Sequence, residues 1–173
     1  MKEVNHIMCP KGFESTNDWD SHRNMLWLAL CNTKGKVVEL GSGDGSTDLL
    51  MSYCAFNQRV FKSFETNVTW AQRTGSAIVK SYLEPLTESR IRREQNFGML
   101  FIDCAPAEIR KELIFDYRNI SDVILVHDSE LSSSYVYGLE SVLNSFKYRL
   151  NYAPSGNPHT TAISDSVNVE EWV

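Results

Sequence analysis

Apolar residues along the chain gather in short runs that alternate with stretches of helical periodicity. Lys36–Leu40 (KVVEL) is a β-branched run halted by Gly41, and a helix-competent stretch from about Thr47 to Phe56 follows it. Val60–Glu65 (VFKSFE) predicts a second strand, and Asn67–Gly75 a helix capped by Asn67 and stopped by Gly75. A short third strand is expected over Ala77–Lys80, then a helix from Pro85 to Asn96 that carries Arg90, Arg92 and Arg93 on an exposed face. Met99–Ile102 (MLFI) and Asp122–Val126 (DVILV) predict the fourth and fifth strands, with a helix over Ala107–Tyr117 between them and another over Leu131–Asn144 after them. Phe146–Tyr152 and Thr160–Ser164 are strand-like runs joined only by a short turn-rich loop, which makes them antiparallel neighbours. Ahead of all these, Trp19–Cys31 places Met25, Leu26, Leu28, Ala29 and Leu30 at helical spacing, with Asp18 as cap.

Strands that alternate with helices are joined by right-handed parallel crossovers. The expected fold is therefore α/β: a Rossmann-like doubly wound sheet of seven strands in three αβα layers, mostly parallel and closed by a C-terminal antiparallel hairpin. A length of 173 residues leaves room for one domain over residues 36–173, preceded by a helical extension, residues 1–35, that covers its pocket. Lys and Arg number 17 against 22 Asp and Glu, so the net charge is -5. That balance provides no broad positive field and predicts no nucleic-acid partner. The four cysteines show no C-x-x-C spacing, and no apolar run is long enough to cross a bilayer. A cytoplasmic chain with reduced thiols and no membrane partner is the expectation. A homodimer is left open.

The most informative segment is Glu39-Leu40-Gly41-Ser42-Gly43-Asp44-Gly45-Ser46. A strand that ends on an acidic residue and runs into three alternating glycines before a helix lets the backbone bend sharply and approach a ligand. In a dinucleotide site the third glycine would stand at position 46, where this chain has Ser46, so the spacing argues against NAD. The packing alternative, glycines that serve only the turn, stands beside the ligand reading.

Glu39 with Gly41, Gly43 and Gly45, followed by Glu65 at the end of the second strand, resembles the class I S-adenosylmethionine-dependent methyltransferases. The likeness extends over about residues 36–165, with the glycine motif its specific part. It implies a transferase of methyl groups, with S-adenosylmethionine held by the loop (Glu39, Gly41, Ser42, Gly43, Gly45, Ser46) and its ribose by Glu65 beside Thr66. It also places Tyr82 near the adenine and Asp103 at the cofactor's edge. Trp70 is a further stacking candidate, with a core or interface role equally open.

Phe101-Ile102-Asp103 and Val126-His127-Asp128-Ser129 stand at the carboxyl ends of adjacent expected strands, the edge where open parallel sheets bind ligands. This pair resembles a subgroup of small-molecule O-methyltransferases, sugar and antibiotic-tailoring enzymes among them, and it implies Asp103, His127 and Asp128 as catalytic residues acting on a small-molecule or sugar hydroxyl. Two ways to remove the hydroxyl proton remain open: Mg2+ held by Asp103 and Asp128, or His127 as general base. Ser129, where the metal-dependent relatives carry a further ligand, speaks against the ion. The bland alternative makes Asp103 and Asp128 helix caps. His22, beside Ser21 and Arg23, is expected at the surface. A silent cofactor-binding protein and, more remotely, a nicotinamide-dependent oxidoreductase are the competing functions.

Overall fold

The structure is a computed structural model that describes residues 2–12, 14–15, 20–84, 96–130, 132, 137–156 and 158–173. Its strands are β1 (Lys2–Val4), β2 (Lys36–Leu40), β3 (Phe61–Glu65), β4 (Ala77–Ile78), β5 (Phe97–Ile102), β6 (Ile124–His127), β7 (Tyr148–Tyr152) and β8 (Thr160–Ser164). The helices are α1 (Arg23–Asn32), α2 (Thr47–Phe56), α3 (Val68–Thr74), α4 (Arg110–Tyr117) and α5 (Leu139–Leu143).

Among the described residues, eight strands join one sheet in the order β1-β7-β8-β6-β5-β2-β3-β4. β8 runs antiparallel to both of its neighbours, and every other pairing is parallel. The sheet therefore exceeds the expected seven strands by one. The extra strand, β1, pairs with β7 from Lys2↔Leu150 to Val4↔Tyr152. Three residues of mixed polarity carry no periodicity of their own, and the strand exists because β7 offers it an open edge.

Side chains that alternate along the strands sort into two cores. Val37, Met99, Phe101, Leu125 and Ala162 face Met25, Leu26 and Leu30 of α1 and Leu49 and Leu50 of α2. Val38, Leu40, Leu100, Ile102, Val126 and Ile163 face Leu113, Ile114 and Tyr117 of α4 and Leu139, Val142 and Leu143 of α5. This is the three-layer arrangement, and burial on both faces is why the central strands read as continuous apolar runs. Asn67 caps α3 by accepting from the N–H groups of Thr69 and Trp70, and Gly75 ends it in the left-handed conformation, φ 72°. The helix expected from Trp19 begins at Arg23. Asp18, Trp19 and the segment 85–95, with Arg90, Arg92 and Arg93, lie outside the described residues, as do Leu131 and 133–136 of the helix expected over Leu131–Asn144.

The chain leaves β2 in one direction to build β3 and β4, and in the other to build β5 and β6. The carboxyl ends of β2 and β5 thus flank the point where strand order reverses, the place where open sheets of this kind leave a crevice.

Candidate active site

A cavity of about 1000 Å³ opens over that crevice. One wall carries Ser42, Glu65, Thr66, Asn67 and Trp70, and the other Asp103, Arg110, His127 and Asp128.

The first wall is a glycine turn held by two carboxylates. Gly41 has φ +91°, and a Cβ there would stand 2.5 Å from the Asp103 carbonyl oxygen, so packing alone requires this glycine. Gly43 is different: a Cβ would meet nothing nearer than Ser46 Oγ at 3.9 Å, and the space beside it is free for a ligand. Glu39 is fully buried beneath the turn and accepts from Ser46 Oγ at 2.5 Å, Ser63 Oγ at 2.6 Å and Thr47 Oγ1 at 2.8 Å. Burial pushes its carboxyl up to about 7 even against those hydrogen bonds. Glu39 and Ser46, expected on the cofactor, therefore sit behind the turn and shape it.

Glu65 closes β3 at the cavity wall. Its Oε1 accepts from the N–H groups of Thr66 and Asn67, each at 2.8 Å, and from the Tyr82 hydroxyl at 2.9 Å. Its Oε2 accepts from Ser42 N–H at 2.9 Å, with the Ser42 hydroxyl farther at 3.4 Å. Oε1 is saturated, and Oε2 keeps capacity for a ligand hydroxyl. Tyr82, expected against the adenine, is buried behind this carboxylate and orients it. Trp70 lines the cavity and is 40% exposed, so a stacking face is available.

The second wall is built from residues far apart in sequence. Asp103 and His127 end neighbouring parallel strands, as expected, and Asp128 follows in a left-handed conformation, φ 51°. Between the two aspartates stands Arg110. Its Nη2 donates to Asp103 Oδ1 at 3.1 Å, its Nη1 to Asp128 Oδ2 at 3.0 Å and to the His127 carbonyl at 2.8 Å, and its Nε to the Cys104 carbonyl at 3.0 Å. A guanidinium thus bridges the carboxylates expected to share Mg2+. The space between the two aspartates is thus filled by a side-chain cation that takes one oxygen of each, and the structure lends no support to Mg2+ shared by the pair. The cap reading of Asp103 fails too, because the short helical turn that follows it, Ala107–Ile109, starts after Pro106 with no side-chain cap.

His127 Nδ1 lies 3.3 Å from Asp103 Oδ2 and 3.7 Å from Asp128 Oδ1. Its Nε2 lies 3.1 Å from Ser21 Oγ, which donates to the Pro158 carbonyl at 3.2 Å and so is free to accept from the ring. Burial works to lower the His127 pKa, but the carboxylates outweigh it and raise the value above that of an ordinary histidine. Burial would likewise raise Asp103, but His127 and Arg110 hold it down at about 2.

His22 is buried, not exposed, with its ring 4.7 Å from that of His127 and 5.2 Å from that of Phe101. Among the described residues, neither of its ring nitrogens has a hydrogen-bond partner. Burial, with His127 adding to it, lowers its pKa to about 3 and keeps it neutral. Arg110 and His22 are the residues that sequence reasoning passed over or misplaced, yet a signal existed. Arg110 precedes Leu113, Ile114 and Tyr117, and His22 precedes Met25, Leu26 and Ala29, each at i+3, i+4 and i+7. A polar side chain that completes an apolar helical stripe is turned inward.

The reversed strand order, the antiparallel strand β8 inserted between β6 and β7, and the glycine turn over the crevice define the fold of class I S-adenosylmethionine-dependent methyltransferases. Solved structures share it. The O-methyltransferase TomG from Streptomyces achromogenes, in complex with SAM, matches with a TM-score of 0.59 and 15% identity over 79% of this chain and 76% of its own. An O-methyltransferase from Bacillus cereus in complex with SAH matches with a TM-score of 0.60 and 11% identity over 88% and 83%. The hMettl16 catalytic domain, in complex with the MAT2A 3'UTR hairpin 1, matches with a TM-score of 0.56 and 11% identity over 92% and 74%. No protein-family model and no curated protein matches the sequence.

Proposed function

We propose that this protein is an S-adenosylmethionine-dependent methyltransferase acting on a hydroxyl of a small molecule or sugar. The observation that carries the reading is the single cavity that joins the Glu65 wall to the Asp103–His127–Asp128 wall. Its volume lies at the upper end of small-molecule sites, room for a cofactor and a modest acceptor together. The free capacity of Glu65 Oε2 suits the vicinal hydroxyls of a ribose, and the open space beside Gly43 suits a ligand lying against the turn. When bound, S-adenosylmethionine supplies an electrophilic methyl group.

The chain's own residues do the rest. Ser42 N–H and Tyr82 fix the Glu65 carboxylate, and Arg110 fixes Asp103 and Asp128, so both walls are set before any ligand arrives. An acceptor hydroxyl that enters the second wall meets Asp103 and Asp128, whose carboxylates accept its hydrogen bond. Its proton passes to the shared Asp103–His127 contact, where the imidazole holds it at Nδ1. Ser21, by accepting from Nε2, leaves Nδ1 turned to the carboxylates. Ser21 and His22 belong to the segment before β2, which supports residues 1–35 as the cover of this site.

The acceptor is proposed to be small because Arg110, the cation on the second wall among the described residues, is already committed to two carboxylates, leaving it unfavourable to a phosphate backbone, and because the net charge is -5. Labelled-methyl transfer to a panel of sugars, phenols and an RNA hairpin tests this. Transfer to a small hydroxyl is expected. Transfer to the hairpin alone would overturn the acceptor class, and binding of S-adenosylmethionine with no transfer would leave a silent binder. Binding of NAD in its place would reinstate the oxidoreductase.

A further inference from the structure

A buried imidazole with two unpartnered nitrogens is an unusual thing for a folded chain to keep, because each unmet polar atom is a cost that packing must offset. His22 is such a group: 2% exposed, with neither Nδ1 nor Nε2 in a hydrogen bond among the described residues. It shares its surroundings with two other potential ligands. One ligand atom each from His22, Asp103 and His127 lie within 4.8 Å of one another. The closest pair, His127 Nδ1 and Asp103 Oδ2, stands 3.3 Å apart. Two donors on a tetrahedral ion at bond lengths near 2.0–2.1 Å are separated by about 3.4 Å, so that pair is already at ligating distance.

We propose that His22, Asp103 and His127 form a binding site for a divalent transition ion of the zinc class. Two imidazoles and one carboxylate are the donor set of Zn2+, Co2+ or Fe2+, whereas Mg2+ and Ca2+ take oxygen. This goes beyond the methyltransferase reading and does not depend on which acceptor is used.

The surroundings are arranged as the outer shell of such a site. Arg110 holds Asp103 Oδ1 at 3.1 Å, which leaves Oδ2 as the free oxygen. Ser21 Oγ stands 3.1 Å from His127 Nε2, which leaves Nδ1 as the free nitrogen. Outer partners of this type fix the tautomer and aim of ligating side chains. Asp103 and His127 line the cavity, so an ion has an entry path, and three protein ligands leave a coordination position open toward it. An ion here takes up His127, so loading and proton storage on that imidazole exclude one another.

The test is titration of the full chain with Co2+, read by calorimetry and by visible absorption, with Mg2+ in parallel. Expected are one Co2+ per chain, the strong absorption of a low-coordinate cobalt centre, and no response to Mg2+ at the same concentration. His22→Asn should weaken Co2+ binding by more than the roughly 10–100-fold that loss of an outer-shell partner costs, and Ser21→Ala by an amount within that range. Because His22→Asn alters a buried position, a second reading uses the unmodified chain: of its four histidines, two should shift their ring resonances on Zn2+ addition. No binding, a Mg2+ response equal to that of Co2+, undiminished binding in folded His22→Asn and His127→Asn, or shifts confined to His6 and His159 would each overturn the site. Affinity for S-adenosylmethionine, measured on the same samples, reports separately on the methyltransferase reading.

Discussion

The two walls of the cavity handle buried negative charge in opposite ways. On the first, the donors that meet Glu39 and Glu65 among the described residues are neutral: hydroxyls of Ser46, Thr47, Ser63 and Tyr82, and backbone N–H groups of Ser42, Thr66 and Asn67. On the second, Asp103 and Asp128 are met by a full positive charge, Arg110, and by an imidazole. Dipoles fix a carboxylate without cancelling it, which suits recognition of a neutral hydroxylated ligand. A buried cation cancels it, which holds two carboxylates side by side and makes a proton-handling centre possible.

The second wall depends most on Arg110. Arg110→Ala leaves two carboxylates in a partly buried pocket without their partner, and removal of one member of such a network costs about 3–5 kcal/mol. Urea unfolding should show a loss near the lower end, since both aspartates retain some exposure; a loss below about 1 kcal/mol would mean the bridge is not a structural centre. Arg110→Lys keeps the charge without the fork and should recover only part of it.

Glu39 sharpens the other side through pH. Its folded carboxyl titrates at about 7, above an unfolded value of 4.5. The folded state therefore holds a proton that the unfolded chain has already released, so stability is highest below the unfolded value and is lost as pH rises to about 7. The expected decline is on the order of 3 kcal/mol, and Glu39→Gln should flatten it. An equal slope in both proteins would assign the titration elsewhere.

Glu65→Ala should weaken S-adenosylmethionine binding by roughly 10- to 100-fold, the worth of one or two charge-assisted hydrogen bonds, with a smaller effect on folding. Equal loss of both would remove Glu65 from the ribose. The smallest effect belongs to the exposed pair Arg73–Asp44, where Arg73→Ala should change stability by no more than about 0.5 kcal/mol.

The first wall was legible in the sequence because it is local. Acidic strand ends and alternating glycines within Glu39–Glu65 identify the turn, although they do not reveal that Glu39 and Ser46 face inward. The alternation of strands and helices and the closing hairpin followed from the same local patterns, with β1 missed because its pairing with β7 joins residues nearly 150 positions apart. The second wall needed contacts that no local pattern carries. Ser21 meets His127 across 106 positions, and Arg110 reaches Asp128 across 18 from the start of α4. The Mg2+ alternative gains no support for that reason: two aspartates at one sheet edge imply a cation between them, but the sequence does not say that the cation is a side chain. The apolar stripes completed by His22 and Arg110 were the available clue.

In the proposed function, one cavity holds S-adenosylmethionine against the Glu65 wall and an acceptor against the Asp103 wall. Calorimetric titration of the intact chain and of Glu65→Ala with S-adenosylhomocysteine tests it most directly. A single site whose affinity drops at least tenfold in a folded Glu65→Ala is the expected result. No binding to the intact chain, or equal affinity in both, would contradict the account.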